Sequence, residues 1–151
     1  MNTIQLPRVL INRLFEHAQS SPREEVCGLI GISRHTKQFC CYPIKNVASR
    51  PFEEFEMAPR EQIAALRTMR EQKQTLFAIY HSHPTTPARP SWLDVERAFY
   101  RQTLYLIISL NTCGILHLRG FRWQTSVFQP IHLEMVEIVS LNMSLVRGDI
   151  C

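Results

Sequence analysis

The segment TLFAIYHSHP, residues 75–84, decides the fold. Its first six residues are mostly apolar and rich in β-forming side chains, so the run to Tyr80 reads as a buried strand. Both histidines then fall at or just past the strand end. PTTPARP, residues 84–90, carries three prolines and reads as an irregular loop. SWLDVERAFYR, residues 91–101, starts a helix with Ser91 as its N-cap. Strand, loop and helix in that order place chemistry-bearing residues at one sheet end. His81 and His83, two apart on a strand, aim at one point while Ser82 faces away. Asp94 lies one turn after Ser91, and the loop can fold the helix start over the strand end. Pro84, Pro87 and Pro90 cut the entropy of holding that loop closed.

Two imidazoles, one carboxylate and a position for water form the tetrahedral set of a catalytic zinc, with iron as the lesser option. Taken singly, Ser-x-x-Asp is more often a capping arrangement, and a strand-end histidine is more often a polar rim residue. Together at this spacing they read as a metal site made of His81, His83 and Asp94. His17, His35, His117 and His132 have no such company and read as structural or surface residues.

Outward from this core, residues 6–20 place Val9, Leu10, Arg13, Leu14 and Ala18 at helical spacing. The helix ends near Ser20-Ser21-Pro22. VCGLIGIS suits a buried strand, and 26–34 with 37–46 reads as a hairpin around Arg34-His35-Thr36. Asn46 to Glu54 reads as a loop. Residues 59–73 form a second helix with Pro59 at its start. TLYLIISL and ILHLRGFRWQ, the latter interrupted at Gly120, read as strands, and IHLEMVEIV as a last one. The order predicts a single α/β or α+β domain over 1–151.

Composition sets outer limits. At 151 residues the chain can bury a real core. The first twenty residues lack a continuous apolar stretch and a small-residue cleavage site, and no apolar run reaches membrane-spanning length. Five cysteines, two adjacent and none in C-x-x-C, argue against a disulfide framework or a cysteine zinc knuckle, so a reducing cytoplasm is expected. The net charge of +4 comes from dispersed basic residues, which weakly favours an acidic partner and gives no nucleic-acid stripe.

A hydrolytic metal site also needs a base. Glu24-Glu25 precedes the apolar VCGLI run, where a carboxylate would be partly desolvated and its pKa raised. On these residues alone a solvated turn is the stronger reading of the pair.

Glu25-Val26-Cys27-Gly28-Leu29, His81-Ser82-His83-Pro84 and Pro90-Ser91-Trp92-Leu93-Asp94 together resemble the JAMM (MPN+, or JAB) metalloprotease family. The match is softer at Asn46, at Phe55 to Pro59, at Ser109 and at Arg119-Gly120-Phe121-Arg122. The resemblance covers about residues 5–125. It implies a JAB/MPN-type domain, cytidine-deaminase-like, with a central mixed β-sheet flanked by helices. It implies Zn²⁺ on His81, His83 and Asp94, with Glu25 as general base and Ser91 as hydrogen-bond donor to the oxyanion. The chain is too short for the long ubiquitin-gripping insertions of eukaryotic members. It is more similar to compact prokaryotic members, which implies a ubiquitin-like or sulfur-carrier protein with a Gly-Gly tail as partner, and cleavage after that diglycine.

Three other readings stand beside this one. A non-catalytic MPN scaffold would lack the ligands. The RadC-like branch typically has Asn between the histidines, where this chain has Ser82. A phage-tail JAB peptidase often carries a further cysteine-peptidase domain. Arg89 and Trp92 depart from the usual pattern, and Trp92 reads equally as substrate wall or core residue. Residues 126–151 form a C-terminal extension, read as an added edge strand or a homodimer interface, followed by a loose tail.

Overall fold

The computed structural model describes residues 3–111 and 116–137. Within them the chain runs β1 (Thr3–Pro7), α1 (Arg8–Ser20), β2 (Cys27–Ser33), β3 (Phe39–Ile44) and α2 (Pro59–Glu71). It continues β4 (Gln74–His83), α3 (Trp92–Glu96), β5 (Leu104–Ser109), β6 (His117–Gln124) and β7 (Val127–Val136). The strands form one sheet in the order β1-β7-β6-β5-β4-β2-β3. β4 runs antiparallel to β2 and parallel to β5, so the sheet is mixed. This is the expected α+β domain, a mixed central sheet with helices on its faces.

The pleat of β4 sorts the core into two layers, because successive side chains point to opposite faces. Ala78 and Tyr80 join Leu10, Leu14 and Ala18 of α1 in one cluster. Ile79 joins Ala65 and Met69 of α2 in the other. By the same alternation His81 and His83 fall on the α2 face, and Ser82 on the α1 face. At Gly28 the pleat leaves no room, since a Cβ would lie 2.5 Å from both the Tyr42 carbonyl and the Tyr80 hydroxyl.

Several boundaries differ from expectation. β4 continues through His83 instead of stopping at Tyr80. Its last three residues pair with Ile107, Ile108 and Ser109, and Leu110 N–H donates to the His83 carbonyl. α3 spans only five residues. Beyond it, Tyr100 N–H donates to the Tyr105 hydroxyl rather than continuing the helix. Gly120 does not interrupt β6, and its missing side chain admits Leu133.

The extension's strand begins at Val127 and is not an edge. β7 lies between β6 and an unforeseen β1, which pairs with it in parallel. The propensity of TIQLP is too weak to announce β1, and its burial through Leu6 is a tertiary effect. The expected loose tail lies outside the described residues. Cys27 and Cys41 are free buried thiols, whereas Cys40 is disulfide-bonded, which the expectation of reduced cysteines did not foresee. No helix among the described residues is long and apolar enough to cross a membrane.

Candidate active site and metal centre

Antiparallel pairing sets Cys27 opposite His81. Two residues upstream, Glu25 therefore reaches the level of His83, and its Oε1 stands 3.6 Å from His83 Nε2. Ser82, turned to the other face, holds this register. Its Oγ accepts from Val26 N–H at 2.9 Å, and its own N–H donates to the Val26 carbonyl at 3.0 Å. Glu24 is exposed, so the solvated-turn reading holds for it and fails for Glu25, which is 4% exposed.

Asp94 arrives from the other side, on the first turn of α3. Ser91 Oγ accepts from Asp94 N–H at 3.1 Å, and Asp94 Oδ2 accepts from Ser91 N–H at 2.8 Å. This reciprocal capping box fixes the carboxylate's direction. Asp94 Oδ2 lies 3.1 Å from His81 Nε2 and 3.2 Å from His83 Nε2, and the two nitrogens are 3.1 Å apart. His83 Nδ1 lies 2.8 Å from the Pro87 carbonyl, which can only accept, so Nδ1 carries the proton. In neutral His83 the lone pair of Nε2 then faces His81 Nε2 and Asp94 Oδ2.

Such a triangle fits a cation. Zinc bonds of about 2.0–2.1 Å set tetrahedral ligands roughly 3.3 Å apart, close to the spacing found. Two further observations fit the same account. Glu25 Oε2 is buried without a hydrogen-bond partner. Glu25, His81 and His83 also form a buried cluster able to hold a metal ion.

Electrostatics separates the two carboxylates. Burial pushes Glu25 up to about 7, with His81 and His83 opposing and Asp94 and Glu54 adding to the rise. Burial also works against the charge on Asp94, but His81, His83 and the Ser91 N–H outweigh it and hold that carboxyl well below its usual range. One group is poised to exchange a proton near neutrality and the other stays anionic. At His83 burial opposes the cation, yet Asp94, the Pro87 carbonyl and Glu25 raise its pKa overall.

Beside the triangle opens a cavity of about 480 Å³, walled by Phe55, Met57, Ile79, Leu93 and Tyr105, with His81 and Asp94 on its lining. Phe55 stacks on the His81 ring at 4.5 Å. Trp92 is 73% exposed, so it is not a core residue.

Glu25, His81, His83, Ser91 and Asp94, drawn from three separate stretches of sequence, thus meet at one sheet end. His35, His117 and His132 are exposed and take no part in that cluster, and His17 bonds Tyr80 on the opposite face. The stacking of Phe55 and the side-chain bonds of Asn46 and Ser82 were not legible beforehand. Phe55 and Asn46 sit in a stretch with no period, where contacts depend on how the loop closes.

Comparison with known proteins finds relatives of this chain. A family model of prokaryotic homologues of the JAB domain matches residues 7–134. A desampylase of Haloferax volcanii is 33% identical over 101 residues, covering 66% of this chain and 73% of that one. A protein of Thermus thermophilus named "Probable TtuB-protein conjugate cleaving protease" is 31% identical, covering 65% of each chain. Tail tip assembly protein K of Escherichia phage N15 is 31% identical over 84 residues, covering 56% of this chain and 32% of its own length. A solution structure from Desulfitobacterium hafniense superposes with a TM-score of 0.77 at 31% identity, covering 90% of this chain and 94% of that one. A structure described as a JAMM metalloprotease-like zinc site superposes at 0.54 with 18% identity, over 90% of this chain and all of that one, and bears on the fold alone.

Proposed function

The chain belongs to the family of prokaryotic homologues of the JAB domain, and from that premise we propose that it is a zinc-dependent peptidase. Its substrate is the bond after the C-terminal diglycine of a ubiquitin-like or sulfur-carrier protein. The observation that carries the reading is the convergence of His81 Nε2, His83 Nε2 and Asp94 Oδ2 within 3.2 Å of one another, with buried Glu25 at 3.6 Å. The similarity to a desampylase and to a conjugate-cleaving protease supports the substrate class.

His81, His83 and Asp94 would hold the ion, and the donor set of two nitrogens and one carboxylate oxygen suits zinc. When bound, zinc supplies Lewis acidity toward the scissile carbonyl and makes water more acidic. Glu25 takes a proton from the attacking water and delivers it to the leaving amine. Its burial beside two histidines favours that shuttle. Ser91 Oγ uses a lone pair to accept from Asp94 N–H, which leaves its O–H proton free for the developing oxyanion. A diglycine suits the narrow approach between α3 and the segment around Phe55, because it brings no side chains. The exposed Arg89 and the positive net charge favour an acidic carrier.

The test is a sulfur-carrier protein extended beyond its Gly-Gly, followed by intact mass. Wild-type protein should release the extension, and Glu25→Gln should slow it by about 100- to 10,000-fold while keeping its metal. Equal cleavage by the two proteins would overturn the assignment of Glu25. An extension left intact by zinc-loaded wild type would overturn the substrate.

A further inference from the structure

Asn46 closes the segment that follows β3. Its Nδ2 donates to the Glu25 carbonyl and to the Glu54 carbonyl, each at 2.9 Å. Its Oδ1 accepts from Ala48 N–H and Glu56 N–H, each at 3.0 Å. Two carbonyls on one end and two N–H groups on the other fix the amide's orientation, and all four bonds run to backbone.

The partners lie on two pieces of chain that meet at the site. Glu25 is the buried carboxylate beside His83. Glu54 and Glu56 flank Phe55, whose ring stacks on His81 at 4.5 Å. The neck of the loop is shut independently. Val47 N–H donates to the Glu56 carbonyl, Ala58 N–H to Lys45, and Asn46 bridges Met57. The same loop takes the Glu25 N–H on the Pro51 carbonyl at 2.7 Å. Loop closure alone therefore does not need the two bonds made by Nδ2.

We infer that Asn46 is a positioning residue, whose carboxamide sets the Glu25 carboxylate and the Phe55 ring against the two histidines. The inference rests on the peptidase reading for its kinetic consequence and on geometry alone for its structural one. A misplacement of about 1 Å at a reacting group costs roughly 100-fold in rate. Losing this amide should therefore lower kcat more than it raises KM, because Asn46 itself does not line the cavity beside the site and reaches it only through the segment that carries Phe55.

Asn46→Asp separates the two ends of the amide. A carboxylate still accepts from Ala48 and Glu56 but has no proton for Glu25 or Glu54. The experiment compares wild type, Asn46→Ala and Asn46→Asp, all zinc-loaded. It measures kcat and KM on the extended carrier, metal content, melting temperature, and amide hydrogen exchange by NMR. Both variants should lose tenfold to 100-fold in kcat with a smaller rise in KM and one metal per chain. Exchange at the Ala48 and Glu56 amides, which Oδ1 holds, should quicken in Asn46→Ala and stay slow in Asn46→Asp. An unchanged kcat in Asn46→Asp, unchanged Ala48 and Glu56 protection in Asn46→Ala, or a kcat loss that only tracks lost metal or lost folded protein, would overturn the inference. If wild type leaves the carrier intact, the peptidase reading fails while the exchange data still decide the clamp.

Discussion

At the scale of single residues, burial rather than residue type decides behaviour. Glu24 and Glu25 are chemically alike, yet one is exposed and the other is pushed up to about 7 by burial. Cys27 stands two residues after Glu25 and would be a tempting nucleophile. It is fully buried, its thiol donates to the Ile44 carbonyl, and burial pushes it up to about 12, so it packs and does not react. Tyr80 is the counterpart on the opposite face. Burial raises it well above its usual value, so it stays protonated. Its hydroxyl accepts from Cys41 and donates to His17 Nδ1 at 2.7 Å. Burial lowers the His17 pKa below 6.5. The unfolded chain therefore binds more protons than the folded one between the lowered value and 6.5, and stability rises with pH across that window. It is fully present above 6.5 and declines as pH falls toward the folded value. Urea unfolding at several pH values should show a steeper loss below pH 6.5 in wild type than in His17→Gln. Equal slopes in the two proteins would refute the assignment.

The elements were legible to different degrees, for physical reasons. α1, α2 and the β2–β3 hairpin follow from apolar period and punctuation, since Leu10, Leu14 and Ala18 repeat at helical spacing and Pro59 opens α2. β1 and the end of β4 depend on neighbours, because Leu6 and His83 are extended only through pairing with β7 and β5. The His81–His83–Asp94 triangle was legible because strand spacing and a helix start dictate direction. The Asn46 bonds were not, because four backbone partners across 32 residues, from Glu25 to Glu56, have no sequence period. Ser91 joins the two kinds. Its Ser-x-x-Asp spacing is a capping signal, and α3 is indeed capped by it. The cap and the catalytic role are compatible because they use different parts of one hydroxyl. Ser91→Ala should cost about 1 kcal/mol of stability as a lost cap, a fall of roughly 2–4 °C in Tm. As a lost oxyanion donor it should also cost about 100- to 1,000-fold in kcat. Ser91 N–H remains to orient Asp94, so metal content should hold. Melting curves and turnover measured together distinguish the cases, and a stability loss without a rate loss would leave Ser91 a cap only.

At the scale of the whole molecule, the site sits where three elements end. His81 and His83 close β4, Glu25 leads into β2, and Asp94 opens α3, a helix of five residues with no buried side chain. Little apolar packing holds α3 in place, so its attachment depends on the Arg97–Glu54 ion pair just after it and on whatever joins Asp94 to the histidines. An ion that binds only the folded chain stabilises it by mass action, by about 2.7 kcal/mol at a concentration 100 times its dissociation constant. For a domain of this size that amounts to roughly 5–10 °C in Tm. Protein purified without added metal should therefore contain close to one zinc per chain. A strong chelator should lower its Tm by about that amount, and stoichiometric zinc should restore it. Asp94→Ala should melt at one temperature whether or not chelator is present, because its oxygen is the link between α3 and the sheet. Exchange of the α3 amides should quicken on chelation before that of the β4 amides, since the helix has no other anchor in the core. A wild-type Tm indifferent to chelator, in protein that contains neither zinc nor iron, would remove the metal and leave the His81–His83–Asp94 triangle as a hydrogen-bonded cap on the sheet.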